Sequence, residues 1–95
     1  IDSHILFNSK LCVIAGKDNP VARMESIRLT ELEKLPLALP ARGLQARNAF
    51  DSLLYGQNFK FDVRLEINDL SMLLDMVSST GLVTLLSEAT VRPES

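Results

Sequence analysis

Leu11-Cys12-Val13-Ile14-Ala15 is an unbroken apolar run that ends at Gly16 and a turn, Lys17-Asp18-Asn19-Pro20. Its length and lack of polar alternation predict a strand covered on both faces. Val21 to Arg28 is irregular. Thr30 and Glu33 then have capping-box spacing, which predicts a short helix that Pro36 ends. Leu37-Ala38-Leu39, framed by Pro36 and Pro40, reads as a second short strand. From Gly43 the period changes. Ala46, Ala49, Phe50, Leu53 and Leu54 share one helical face, with Gln45, Arg47, Asn48, Asp51 and Ser52 beside or opposite it, which predicts a helix from Leu44 to Tyr55 stopped by Gly56. Phe61, Val63, Leu65 and Ile67 alternate with Asp62, Arg64 and Glu66, the pattern of a half-exposed edge strand. Asn68-Asp69 caps another helix, with Leu70, Leu73, Leu74 and Val77 sharing one face and Met72 and Met76 flanking that stripe as core filler. Leu82 to Leu86 is a last apolar strand, and the tail from Ser87 to Ser95 turns away, with Pro93 as a stop.

Alternation of strands and helices predicts an α/β fold in three layers, a mainly parallel sheet with helices on both faces. Ligands of such sheets sit outside the carboxyl ends of the strands. The turns Pro40 to Leu44 and Asn68 to Leu70 both fall there, so Pro40, Ala41, Arg42, Gly43, Leu44, Asn68 and Asp69 are the candidate binding residues. Free N–H groups at the helix start, the charge of Arg42 and the permissive backbone of Gly43 suit a small anionic molecule. A cation at a helix start is disfavoured by the macrodipole, and a bound anion would offset both.

Ninety-five residues make a single domain, 1–95, and 46% hydrophobic residues suffice for a core. Net charge is −2, and the ten Lys and Arg residues are scattered, so no basic stripe follows a nucleic-acid backbone. Cys12 and His4 are each the sole residue of their kind. No internal disulfide, metal cluster or nucleophile–base pair can be built, and His4 is expected in a frayed end. Phosphate-loop, GxGxxG and GxSxG motifs are absent. Glu31 with Glu33, or Glu66 with Asp69, reads as a solvated face. The expectation is therefore no enzyme, no catalytic residue, no cofactor and no metal. No apolar run approaches the ~20 residues that span a bilayer, and no signal peptide opens the chain, so a cytoplasmic protein without membrane contact is expected. Ile1-Asp2-Ser3-His4 opens without Met, as in a piece of something longer.

The ordered series of segments resembles the LysR-type transcriptional regulators. Leu11 to Ala22 is similar to their apolar strand followed by His-Pro-Leu-Ala, and Leu29 to Leu39 to their L-x-x-L-x-x-x-P-L-I-L stretch; Leu44 to Tyr55, Glu66-Ile67-Asn68 and Leu82 to Val91 continue in register. Departures are Asn19, Ser87 and Thr80-Gly81-Leu82, where many members have His, Pro and a Gly-x-Gly. The resemblance implies the second lobe (C-terminal subdomain) of a two-lobe domain of the periplasmic-binding-protein-like (type 2) kind, with a small-molecule effector held between the lobes. It implicates Pro40 to Leu44 in the effector cleft. It implies a homo-oligomer through the outer face of Leu44 to Tyr55 and the strand Asp62 to Ile67, here Arg47, Asp51, Arg64 and Glu66. DNA would be reached only through a helix-turn-helix domain that this chain lacks. Two other classes stay open: a lobe of a periplasmic solute-binding transport protein, and an interaction domain that recruits a partner by strand addition to Asp62–Ile67.

Overall fold

A computed structural model describes residues 3–8 and 10–91. In chain order it contains β1 (Ser3–Leu6), β2 (Leu11–Ala15), a 3-10 turn (Pro20–Arg23), α1 (Leu29–Leu32), β3 (Pro36–Pro40), α2 (Gln45–Leu54), β4 (Asp62–Ile67), α3 (Leu70–Ser79), β5 (Thr84–Ser87) and α4 (Glu88–Val91). The expected tail stop at Pro93 lies outside the described residues.

β1 replaces the frayed end expected around His4. The Asn8 side chain accepts from the N–H groups of Lys10 and Leu11 at 2.8 and 2.7 Å and turns the chain back, so that His4 pairs opposite Ile14. The outer edge of β1 is covered too, since Leu6 N–H donates to the Glu25 carbonyl and Ile27 N–H to the Leu6 carbonyl. The stretch read as irregular also has order: Asn19 caps the 3-10 turn by accepting from Val21 N–H at 3.0 Å.

Strand directions differ from the mainly parallel arrangement expected. β1, β2 and β5 form a three-stranded sheet in that order, with both pairings antiparallel, whereas β3 and β4 pair parallel. A parallel bridge between Leu37 and Val83 joins the two sheets, with Ala38 N–H donating to the Val83 carbonyl at 2.9 Å and Val83 N–H to the Pro36 carbonyl at 3.0 Å. The cause is connectivity. A short turn can join β1 to β2 only antiparallel, while the crossovers through α2 and α3 let β3, β4 and β5 run the same way; the connection from β2 to β3, through the 3-10 turn and α1, leaves β2 antiparallel to β5. These last strands therefore bring their carboxyl ends to one rim.

Side chains of β2 alternate between two clusters. Leu11, Val13 and Ala15 join Leu37, Leu39, Leu85 and, from α2, Ala46 and Phe50. Cys12 and Ile14 join Ala38, Leu86 and, from α3, Leu73 and Val77. Helices thus cover opposite faces of β2, which is buried along its whole length. Each fully buried aliphatic side chain contributes ~1.5–3 kcal/mol, so this central strand is the main source of cohesion.

Three local expectations are corrected. α1 begins at Leu29, so Thr30 lies inside it; Glu31 reaches back to Arg28 N–H at 2.9 Å, while Glu33 accepts from Lys60 N–H at 2.8 Å. Burial of Leu32 sets that helical phase. Met72 is 56% exposed and fills no core, because α3 turns Leu73 and Val77 inward.

The third correction lies in β4. Its register slips between Leu37 and Ala38 on the partner strand: Leu37 pairs with Val63, but Ala38 pairs with Leu65, and Arg64 is the extra residue. A one-residue slip moves every later side chain to the other face. Glu66, opposite Leu39, therefore points to the α2 side with Val63, while Leu65 and Ile67, opposite Ala38 and Pro40, point to the α3 side. The continuous alternation in the sequence is not continuous in space, and Val63 and Leu65 are 40% and 37% exposed.

Candidate functional site

The rim is built from the way β3 ends. Pro40 stops the ladder, Ala41 N–H donates to the Ile67 carbonyl at 3.0 Å, and Leu44 N–H closes a turn onto the Ala41 carbonyl at 3.2 Å. Gly43 occupies this turn at φ +97°, and a Cβ added there would meet nothing within 4 Å. Glycine is needed here for its left-handed backbone, not for room. Leu44 then starts α2 as an N-cap without a side-chain acceptor. At the neighbouring helix start, Asp69 caps α3 by accepting from Met72 N–H at 3.0 Å. One helix start on this rim is closed by its own carboxylate, and the other keeps free N–H groups.

A cavity of about 220 Å³ opens between them. Its walls are strand ends, Pro40, Ile67, Leu86 and Ser87, and helix starts, Leu44, Gln45, Ala46 and Leu70. Leu73 forms apolar floor, Asn68 lies at the edge, and Thr90 of α4 closes one side. Ser87 and Thr90 hydroxyls are 2.6 Å apart and present a polar pair within the wall. The cavity is therefore mainly apolar, with two hydroxyls, two amide side chains and an uncapped helix start as its hydrogen-bonding groups. It suits a small organic molecule with one polar or anionic end.

The structure divides the sequence-derived candidates. Pro40, Leu44 and Asn68 line the cavity. Ala41 and Gly43 shape the turn, and Asp69 is committed to its cap. Arg42 lies apart, in a shallow depression beside β4 with Arg47, Val63, Arg64, Leu65 and Glu66. Gln45, Ser87 and Thr90 were not anticipated. Ser87 and Thr90 fall in a tail read as turning away, where a four-residue helix, α4, folds back over the strand end.

Of the residues expected at a subunit interface, Arg47 is 6% exposed. Its Nε donates to Asp51 Oδ1 at 3.0 Å, and one terminal nitrogen donates to the Pro40 carbonyl at 3.2 Å and to Glu66 Oε2 at 2.6 Å. Burial works against its charge, but the bonds to Glu66 and Asp51 outweigh it and hold the guanidinium pKa above its ordinary value. Asp51 and Glu66 are half-exposed, and Arg64 forks onto Asp62 at 2.8 and 2.9 Å on the open strand.

The hydrogen bond from Arg47, with a small further pull from Arg42, lowers the Glu66 pKa, and Arg64 lowers that of Asp62. A carboxylate with a lowered folded-state pKa stabilises the fold fully above its unfolded value and loses that contribution as pH falls through the folded one. Denaturant titrations should show stability falling as pH drops from about 5 toward about 3, with a shallower fall in Glu66→Gln. Identical slopes would mean that Arg47 does not hold this carboxylate in solution.

No set of three or more His, Cys, Asp or Glu side chains that could hold a metal occurs among the described residues, and no helix among them is long and apolar enough to cross a membrane. Comparison with curated proteins finds no match. The family model described as LysR substrate binding domain matches residues 1–95, the whole chain. Domains of this kind have the periplasmic-binding-protein-like fold and belong to transcription regulators that respond to small molecules.

Proposed function

From the premise that this chain belongs to the LysR substrate-binding-domain family, we propose that it is an effector-sensing lobe that holds a small anionic metabolite in a cleft between its rim and a second lobe. The observation that carries this reading is the cavity of about 220 Å³ at the shared carboxyl ends of β3, β4 and β5, beside the uncapped start of α2. N–H groups of α2 and the hydroxyls of Ser87 and Thr90 would take the anion, and Leu73, Leu86 and Ile67 its apolar body. Arg42 supplies a flanking charge to the rim. The effector would favour the closed arrangement of the lobes and so change how a cytoplasmic regulator engages DNA through a separate helix-turn-helix domain.

The same regulator would assemble as a homo-oligomer through the outer side of α2 and the open strand β4. Exposed Leu53, Tyr55, Val63 and Leu65 support this, with the half-exposed Asp51 and Glu66 and exposed Arg64 as polar rim. Arg47 would take part through these carboxylates.

A panel of small mono- and dicarboxylates, scored by thermal shift of the intact regulator, tests the site. Arg42→Ala is expected to weaken the response by about 1.5-fold to fivefold, the range for one exposed, screened charge, with DNA binding in the absence of ligand unchanged. An unaltered dose response in that variant removes Arg42 from the site.

A further inference from the structure

Arg47 is the only charged side chain buried among the described residues, and it stands between two surfaces. Inward, it donates to the carbonyl of Pro40, a residue that also walls the cavity. Outward, it holds Asp51 on α2 and Glu66 on β4, whose side chains are 47% and 48% exposed. The residue after Pro40 is held from the other side, because Ala41 N–H donates to Ile67, the next residue along β4 from Glu66. The bulge at Arg64 makes this possible by turning Glu66 toward α2.

We propose that Arg47 is a positioning residue that couples the α2/β4 surface to the rim of the cavity: what happens to the carboxylates of Asp51 and Glu66 is passed to the Pro40 carbonyl, and from it to the turn 41–44 and the start of α2. The proposal rests on the reading of that rim as the effector site. The guanidinium suits the task because Nε and one terminal nitrogen donate from two separate points of a rigid plane, whereas lysine must donate from a single nitrogen. A partner subunit that drew Glu66 outward would loosen the wall on which an effector rests, and an effector that shifted Pro40 would alter the carboxylates presented to the partner. By linkage the two effects are reciprocal.

Amide hydrogen exchange on the intact regulator, without added ligand, tests the coupling, since local exchange reports local opening. In Glu66→Gln the amides of Ala41 and Leu44 should exchange about threefold to tenfold faster, while that of Val13 in the central strand keeps its rate. Arg47→Met should raise exchange at the turn further, and Arg47→Lys should restore part of the protection. Unchanged exchange at Ala41 and Leu44 in Glu66→Gln would overturn the proposal, as would acceleration that includes Val13 to the same degree, the mark of general destabilisation. Should Arg47→Met not fold, Glu66→Gln still decides, because it alters only a half-exposed carboxylate. A separate arm adds acetate, succinate or benzoate to the unaltered protein. Failure of all three to protect Gln45 and Ala46 would count against the effector reading, whereas the exchange at Ala41 and Leu44 tests the coupling by itself.

Discussion

Phe50→Ala is expected to lower stability by about 3–5 kcal/mol, the range for removing a buried aromatic side chain. Phe50 is 2% exposed and is the largest residue that α2 buries. Its ring meets Phe61 with centroids 5.3 Å apart at 59°, and Phe61 in turn stacks on Phe59 at 5.7 Å. Removing the ring therefore takes apolar contacts from the core and an edge contact from the segment that leads into β4. Only Ala46 and Arg47 would remain buried on α2; Ala46 is too small to replace the ring, and Arg47 is charged and committed to its three acceptors. Against a total stability of roughly 5–15 kcal/mol for a small domain, this change brings the fold close to unfolding. Phe50→Leu should recover most of the loss, because leucine keeps most of the apolar volume. Denaturant titration of the two variants measures the difference, and a deficit under about 1 kcal/mol for Phe50→Ala would mean that this face does not hold the helix.

Leu73→Ala comes next, with an expected loss of about 2–5 kcal/mol. Leu73 is 2% exposed, belongs to the core cluster under α3, and also forms floor of the rim cavity. Its shortening should deepen the cavity as well as weaken the core. The variant should then shift toward larger apolar acids, with benzoate gaining over acetate in thermal-shift titrations. Val77→Ala is the control: Val77 lies in the same cluster and is fully buried, but does not line the cavity. It should lose stability with no change in preference. Equal behaviour of the two variants toward both acids would separate the cavity floor from selectivity.

Legibility in the sequence followed the range of the forces involved. β2, β3, α2 and α3 could be read because their residues carry a period over several turns or an unbroken apolar run. β1 could not, because Ser3–Leu6 mixes polar and apolar residues and is held by pairing to β2 and by the backbone of residues 25–27. The position of the rim was legible from strand ends, and Pro40, Leu44 and Asn68 do line a cavity there. Ser87 and Thr90 were hidden, because their place depends on α4 turning back over β5. Arg47 departs furthest from its expected place. Periodicity put a charged residue on the outer face of α2, but three acceptors from separate elements draw it inward. Arg42, the charge placed by the sequence at the start of α2, sits in the neighbouring depression instead.

The bulge at Arg64 also bears on solubility and on the manner of assembly. An edge strand with free backbone groups invites other chains to continue the sheet, the route to fibres. Here the ladder is broken partway along β4, and Asp62, Arg64 and Glu66 interrupt the apolar residues. A copy laid against this edge could not keep register across the whole strand. Any specific contact made there must then be read through side chains, which a few substitutions can retune, and not through a repeating backbone template that would accept almost any extended chain.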